Sequence, residues 1–149
     1  MLAEYYNNIL YPLQDKAILA FKDSPFYLTG GTALSRVYYS HRDSDDLDYF
    51  VNDHSDFQKI AERQIERLSD IFTDVKVAMR DTSFYRIFVS EERLKIELVN
   101  DVPSRWQMPF IKDGRVDVDA YIEFGTQFNE LINHEPKSFK PIIDRVMKL

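Results

Sequence analysis

Apolar positions along the chain switch between helical spacing and strict alternation, and those switches predict the elements. In residues 14–21, Ala17, Ile18 and Phe21 share one helical stripe, and Pro12 is expected to limit that helix upstream. Phe26-Tyr27-Leu28 is a short β-prone run ending at Gly30-Gly31. A helix is expected to restart at Thr32 and reach about Tyr38, with a strand following over residues 47–51. Ser55-Asp56-Phe57-Gln58 has the capping-box pattern, and Phe57, Ile60, Ala61, Ile65 and Leu68 then keep helical spacing to about Ser69. Three strands are expected next, over residues 72–79, 84–89 and 94–99, with Ser90-Glu91-Glu92 as the turn between the last two. After Pro103 the pattern weakens, and residues 121–133 and 141–149 read as helical.

Helices interleaved with adjacent strands predict an α+β domain with a mixed β-sheet flanked by helices. The chain of 149 residues, 44% hydrophobic and 30% charged, fits one domain, with a motif-bearing core over about residues 24–119 and a helical segment over 120–149. It has no cysteine, which removes disulfides, thiolate zinc sites and cysteine nucleophiles together. Nineteen basic against twenty-five acidic side chains give a net charge of −6, so a surface attracting phosphate everywhere is excluded and a local basic patch is not. The first twenty-one residues have no basic leader and carry polar groups throughout; neither a signal peptide nor a membrane span is expected, and the cytoplasm is the expected location.

The densest chemical feature is His41-Arg42-Asp43-Ser44-Asp45-Asp46-Leu47-Asp48-Tyr49-Phe50. A solvated acidic loop is the simpler account of such a stretch. Against it, Asp46 and Asp48 flank one apolar residue at the start of a strand, and a period of two sends both carboxylates to one face while Leu47 points inward. Two such carboxylates repel unless a cation sits between them. An EF-hand starting at Asp43 fails, because Asp48 stands where glycine is needed and His54 where the closing glutamate belongs. His41, His54 and His134 lack paired zinc spacing, and the kinase reading of His41-Arg42-Asp43 lacks its asparagine and its glycine-rich loop. Magnesium, held by few carboxylates and completed by phosphate oxygens, is the remaining fit.

Upstream, Leu28-Thr29-Gly30-Gly31-Thr32 places two glycines at a strand-to-helix junction, where bare amides can meet an anion; an ordinary tight turn explains them as well. Downstream, Leu94-Lys95-Ile96-Glu97-Leu98 alternates, sending Lys95 and Glu97 to the face opposite the core. If that strand neighbours the Asp46 strand, Glu97 becomes a third carboxylate and Lys95 a nearby cation.

A glycine pair before a helix, Asp-x-Asp on the next strand and a later lone carboxylate form the pattern of DNA polymerase β-like nucleotidyltransferases. Leu-Thr-Gly-Gly-Thr-Ala-Leu, then His-Arg-x-Ser-x-Asp-Leu-Asp-x-Phe, then Lys95-x-Glu97, resembles more closely the AbiEii/AbiGii toxin family of abortive-infection and type IV toxin-antitoxin systems. The similarity runs over about residues 26–118. It implies transfer of a nucleotidyl group from a nucleoside triphosphate to tRNA or a protein, with two Mg2+ ions and a cognate antitoxin as partner. By that resemblance Asp46 and Asp48 hold both ions, Glu97 holds the ion that activates the acceptor, and Gly30, Gly31 and Thr32 cradle the phosphates. Lys95 neutralises triphosphate charge; Arg42 does the same or ties its loop to the fold, and its aspartate neighbours favour the tie. Two features depart from the family pattern: Glu97 stands where aspartate is commoner, and the family's Ala-x-Lys-x-x-Ala-Leu helix is missing after Asp119. The alternative reading is a catalytically inactive module that binds nucleotide or a partner on the same fold.

Overall fold

The computed structural model describes residues 2–32 and 45–103. The expectations for residues 33–44, including most of the helix from Thr32 and the side chain of Arg42, and for the helical segments after residue 103 lie outside these residues.

Helical backbone starts earlier than the stripe over residues 14–21 indicates. A short helix α1 (Leu2–Tyr5) passes through a π-helical turn (Tyr6–Leu10) into α2 (Tyr11–Phe21). Pro12 does not stop the path, because it sits in the first turn of α2, where a missing N–H leaves no hydrogen bond unmade. The apolar stripe is as expected, with Ala17, Ala20 and Phe21 buried.

Strand β1 (Tyr27–Thr29) leads into the helical turn α3 (Gly30–Thr32), and β2 (Leu47–Asn52) follows. Helix α4 (Phe57–Ile71) buries Phe57, Ala61 and Leu68 on the predicted face. The capping box does not form: Asp56 is the N-cap residue and its side chain makes no cap bond. The entry is tied instead through Asn100, whose carboxamide oxygen accepts from the His54 N–H at 2.8 Å and whose amide donates to the His54 carbonyl at 3.1 Å. Strands β3 (Val75–Arg80), β4 (Phe84–Val89) and β5 (Leu94–Asp101) complete the described chain.

The five strands form one mixed sheet in the order β1-β2-β5-β4-β3, in which β2 and β5 are parallel and the other pairs antiparallel. Strict alternation in β2, β4 and β5 sends Leu47, Tyr49, Val51, Tyr85, Ile87, Val89, Leu94, Ile96 and Leu98 to one buried face. Helices α2 and α4 cover that face. The Tyr49 ring stacks on Phe21 with centroids 3.7 Å apart, and Phe57 meets Tyr85 edge-on at 5.7 Å. Gln64 is buried between the helices, and its amide donates to the Ala20 carbonyl at 2.7 Å. The opposite sheet face therefore carries the polar residues of the same three strands. Among the described residues no helix is long and apolar enough to cross a membrane.

Candidate active site

The parallel pairing of β2 with β5 decides which polar residues meet. Its register sets Asp48 directly beside Glu97, while β1 sets Thr29 beside Asp48 and β4 sets Arg86 beside Glu97. Thr29, Asp48, Glu97 and Arg86 thus form one row across four strands. Asp46 lies just before β2, and Lys95 lies two residues before Glu97 on the same face of β5.

Within this row the charges interlock. The Lys95 ammonium stands 2.9 Å from Asp46 Oδ2 and 3.5 Å from Glu97 Oε1, bridging the two carboxylates. Its hydrogen bond to Asp46, with the charges of Asp46 and Glu97 added, raises its pKa above the ordinary lysine value. Arg86 Nε donates to the same Glu97 Oε1 at 2.8 Å, and its guanidinium lies 5.4 Å from the centre of the Phe84 ring. Among the described residues, no cation makes such a contact with Asp48. Partial burial first, then the charges of Glu97 and Asp46, push its carboxyl up to about 6, against a weaker opposing pull from Lys95.

Gly30 fits around Asp48. It has a φ of +73°, and a Cβ at that position would stand 2.7 Å from Asp48 Oδ2. Gly30 thus has a steric reason beyond exposing amides, since the space of a side chain is filled by the carboxylate. Thr32 is buried, and its hydroxyl donates to the Asp46 carbonyl, tying α3 to the start of β2. The α1–α2 limb reaches the neighbouring residue: Tyr6 donates its hydroxyl to Asp45 Oδ1 at 2.6 Å, and Gln14 Nε2 donates to the Asp45 carbonyl at 3.3 Å.

The structure therefore brings together Gly30, Thr32, Asp46, Asp48, Lys95 and Glu97, with Gly31 in the same turn α3; Arg42 lies outside the described residues. Arg86 was not singled out from the sequence, although counting outward from the turn over residues 90–93 sets it opposite Glu97. Tyr6 and Gln14 carry no local signal, because their contacts span 39 and 31 residues.

Among the described residues, no three acidic or histidine side chains are gathered to hold a metal ion as they stand. The donor chemistry nevertheless fits a hard divalent cation. Three carboxylates share one sheet face, burial and then the charges of the other two keep Asp48 hard to ionise, and a cationic ammonium already occupies the space between Asp46 and Glu97.

Solved structures share this fold. One from Helicobacter pylori, JHP933, is 19% identical with a TM-score of 0.59, and covers 82% of this chain and 56% of its own. A second H. pylori structure, of a candidate nucleotidyltransferase, is 20% identical with a TM-score of 0.61, and covers 82% of this chain and 58% of its own. The chain thus spans a little over half the length of these neighbours. A comparison with curated proteins finds no match. The family model for the AbiEii nucleotidyl transferase toxin of type IV toxin-antitoxin systems matches residues 13–144, nearly the whole chain, and encloses every residue of the charged row; the protein belongs to that family.

Proposed function

We propose that the protein transfers a nucleotidyl group from a nucleoside triphosphate to an RNA acceptor, tRNA foremost, or to a protein. In this reading it depends on two magnesium ions and acts in the cytoplasm as the toxin-like component of a type IV toxin-antitoxin or abortive-infection system, opposed by a cognate antitoxin. The observation that carries the reading is the placement of Asp48 beside Glu97 across parallel strands, with Gly30 closed around Asp48.

Asp46, Asp48 and Glu97 would hold the ions. Bound magnesium would supply charge neutralisation at the attacking and leaving oxygens of an in-line displacement. Asp48, with a pKa of about 6, is mostly ionised at neutral pH and so ready to bind. The backbone of Gly30, Gly31 and Thr32 would line the triphosphate, Thr32 would keep α3 against β2 through the Asp46 carbonyl, and Lys95 would add positive charge beside the phosphates. Arg86 would fix one Glu97 oxygen and so restrict the directions in which that carboxylate can reach.

The test is incubation with Mg2+, each α-labelled nucleoside triphosphate and bulk tRNA or candidate proteins. Label should move to an acceptor with the wild type and not with Asp46→Ala or Asp48→Ala. Transfer that survives both substitutions would reject the site. The lack of an Ala-x-Lys-x-x-Ala-Leu sequence after Asp119 favours one other reading, a nucleotide-binding or partner-binding module without turnover. Nucleotide bound with no label transferred to any acceptor would select it.

A further inference from the structure

Lys95 is engaged in a way that a phosphate-binding lysine need not be. Its ammonium touches Asp46 and Glu97 at 2.9 and 3.5 Å, and its side chain is 29% exposed. These are two of the three carboxylates that would hold metal. Arg86 also contacts Glu97, but it is the direct cross-strand partner of Glu97 and its guanidinium lies near the Phe84 ring, so it is held from two sides. Lys95 hangs on a flexible four-carbon stem and makes a point-charge contact. Of the two cations, Lys95 is the one that can leave without moving a strand.

Resting on the metal-dependent reading above, we infer that Lys95 is a positioning residue of the carboxylate site: it bridges Asp46 and Glu97 as a resident cation, and an entering divalent ion displaces it. Without it, Asp46, Asp48 and Glu97 repel one another on one face; with it, two of them are kept together and the site stays folded before metal arrives. A divalent ion carries more charge into the same space and can contact Asp48 as well. Entry of the ion thus competes with the ammonium and frees Lys95 to swing toward an incoming polyanion. Lys95 and the metal oppose each other in binding, which makes the sign of a Lys95 substitution diagnostic.

The experiment is calorimetric titration of the full chain with MgCl2, without nucleotide and at fixed ionic strength, for wild type, Lys95→Met and Lys95→Gln. Removing the competing cation should tighten Mg2+ binding about tenfold in both variants, and binding seen in the variants alone carries the same meaning. A second readout uses the wild type: after reductive 13C-methylation, the Lys95 resonance, assigned by its loss in Lys95→Gln, should move toward the exposed-lysine position as Mg2+ saturates. Unchanged or weaker Mg2+ affinity in folded variants, or a Lys95 resonance that stays put at saturation, overturns the inference and leaves the proposed function standing. No Mg2+ binding by any of the three overturns both. If those variants do not fold, the charge-conserving Lys95→Arg supplies the assignment and the wild-type resonance decides.

Discussion

Asp48 is the residue on which folding and chemistry pull in opposite directions. Its carboxyl titrates near 6 in the folded chain against 3.8 ordinarily, so between those values the folded state binds more protons than the unfolded state. Stability from this group is therefore fully present at low pH and falls as pH rises through that window. Ionised Asp48 strains the fold at neutral pH, and Asp48→Asn should stabilise it by about 1 kcal/mol after allowance for solvent screening, or roughly 2–4 °C in Tm. The same variant should lose the pH dependence between 4 and 6, and its transfer rate should fall by on the order of a thousandfold. Thermal melts across pH and a label-transfer assay check both halves; a variant less stable than wild type at pH 7 would contradict the assignment of strain. Gly30 is the steric counterpart. Alanine there must adopt a positive φ and place its Cβ against the Asp48 carboxylate, so Gly30→Ala should cost about 1–2 kcal/mol and displace Asp48. Urea denaturation of Gly30→Ala and of Gly30→Ala/Asp48→Ala separates the terms, since removing the carboxylate should relieve the steric part alone.

Elements built from one continuous pattern were legible in the sequence, and those built by distant contacts were not. The alternation in β2, β4 and β5 and the 3.6-residue stripe of α4 predicted their faces correctly because each is a local response to one buried side. The turn over Ser90, Glu91 and Glu92 was legible as a break, but not its conformation: all three residues have positive φ without being glycine, and the Asp74 carboxylate accepts from the Ser90 and Glu91 N–H groups. The false capping box and the helical run before Pro12 failed for a related reason. Asn100 replaces the cap from 46 residues away, and a π turn lets the helical path enter α2 ahead of the proline. In the site, the Asp46, Asp48, Lys95 and Glu97 set was readable as two alternating strands, whereas their adjacency depended on β2 and β5 being neighbours, which no local pattern states. Gln64 tests the packing of α2 on α4 without touching the site. Gln64→Leu leaves the Ala20 carbonyl, a buried group near the end of α2, without its donor and should cost about 1–3 kcal/mol. Its transfer rate, measured well below the melting temperature, should match the wild type, because these helices pack on the sheet face opposite Asp48.

The net charge of −6 takes on a different meaning at the scale of the whole molecule. Spread evenly, it would repel a polyphosphate from every side; where Lys95 and Arg86 stand beside Asp46, Asp48 and Glu97, however, three negative charges face two positive ones, and a bound divalent cation reverses the local sign. Simple salt and a specific divalent ion should then act in different ways. Sodium chloride screens the acidic surface and the Lys95 and Arg86 bridges alike, so its net effect on stability should be small. Magnesium that binds only the folded site should stabilise by about 2.7 kcal/mol at a hundred times its Kd, which corresponds to roughly 5–10 °C in Tm. Melting curves in MgCl2 and in NaCl of equal ionic strength at pH 7 make the comparison. The excess from magnesium should vanish in Asp46→Ala/Asp48→Asn. It should also shrink at pH 5, where a proton on Asp48 competes with the metal for the same oxygens. Equal shifts in the two salts would mean that the acidic row is only part of the charged surface, and that the arrangement of its carboxylates has no bearing on metal.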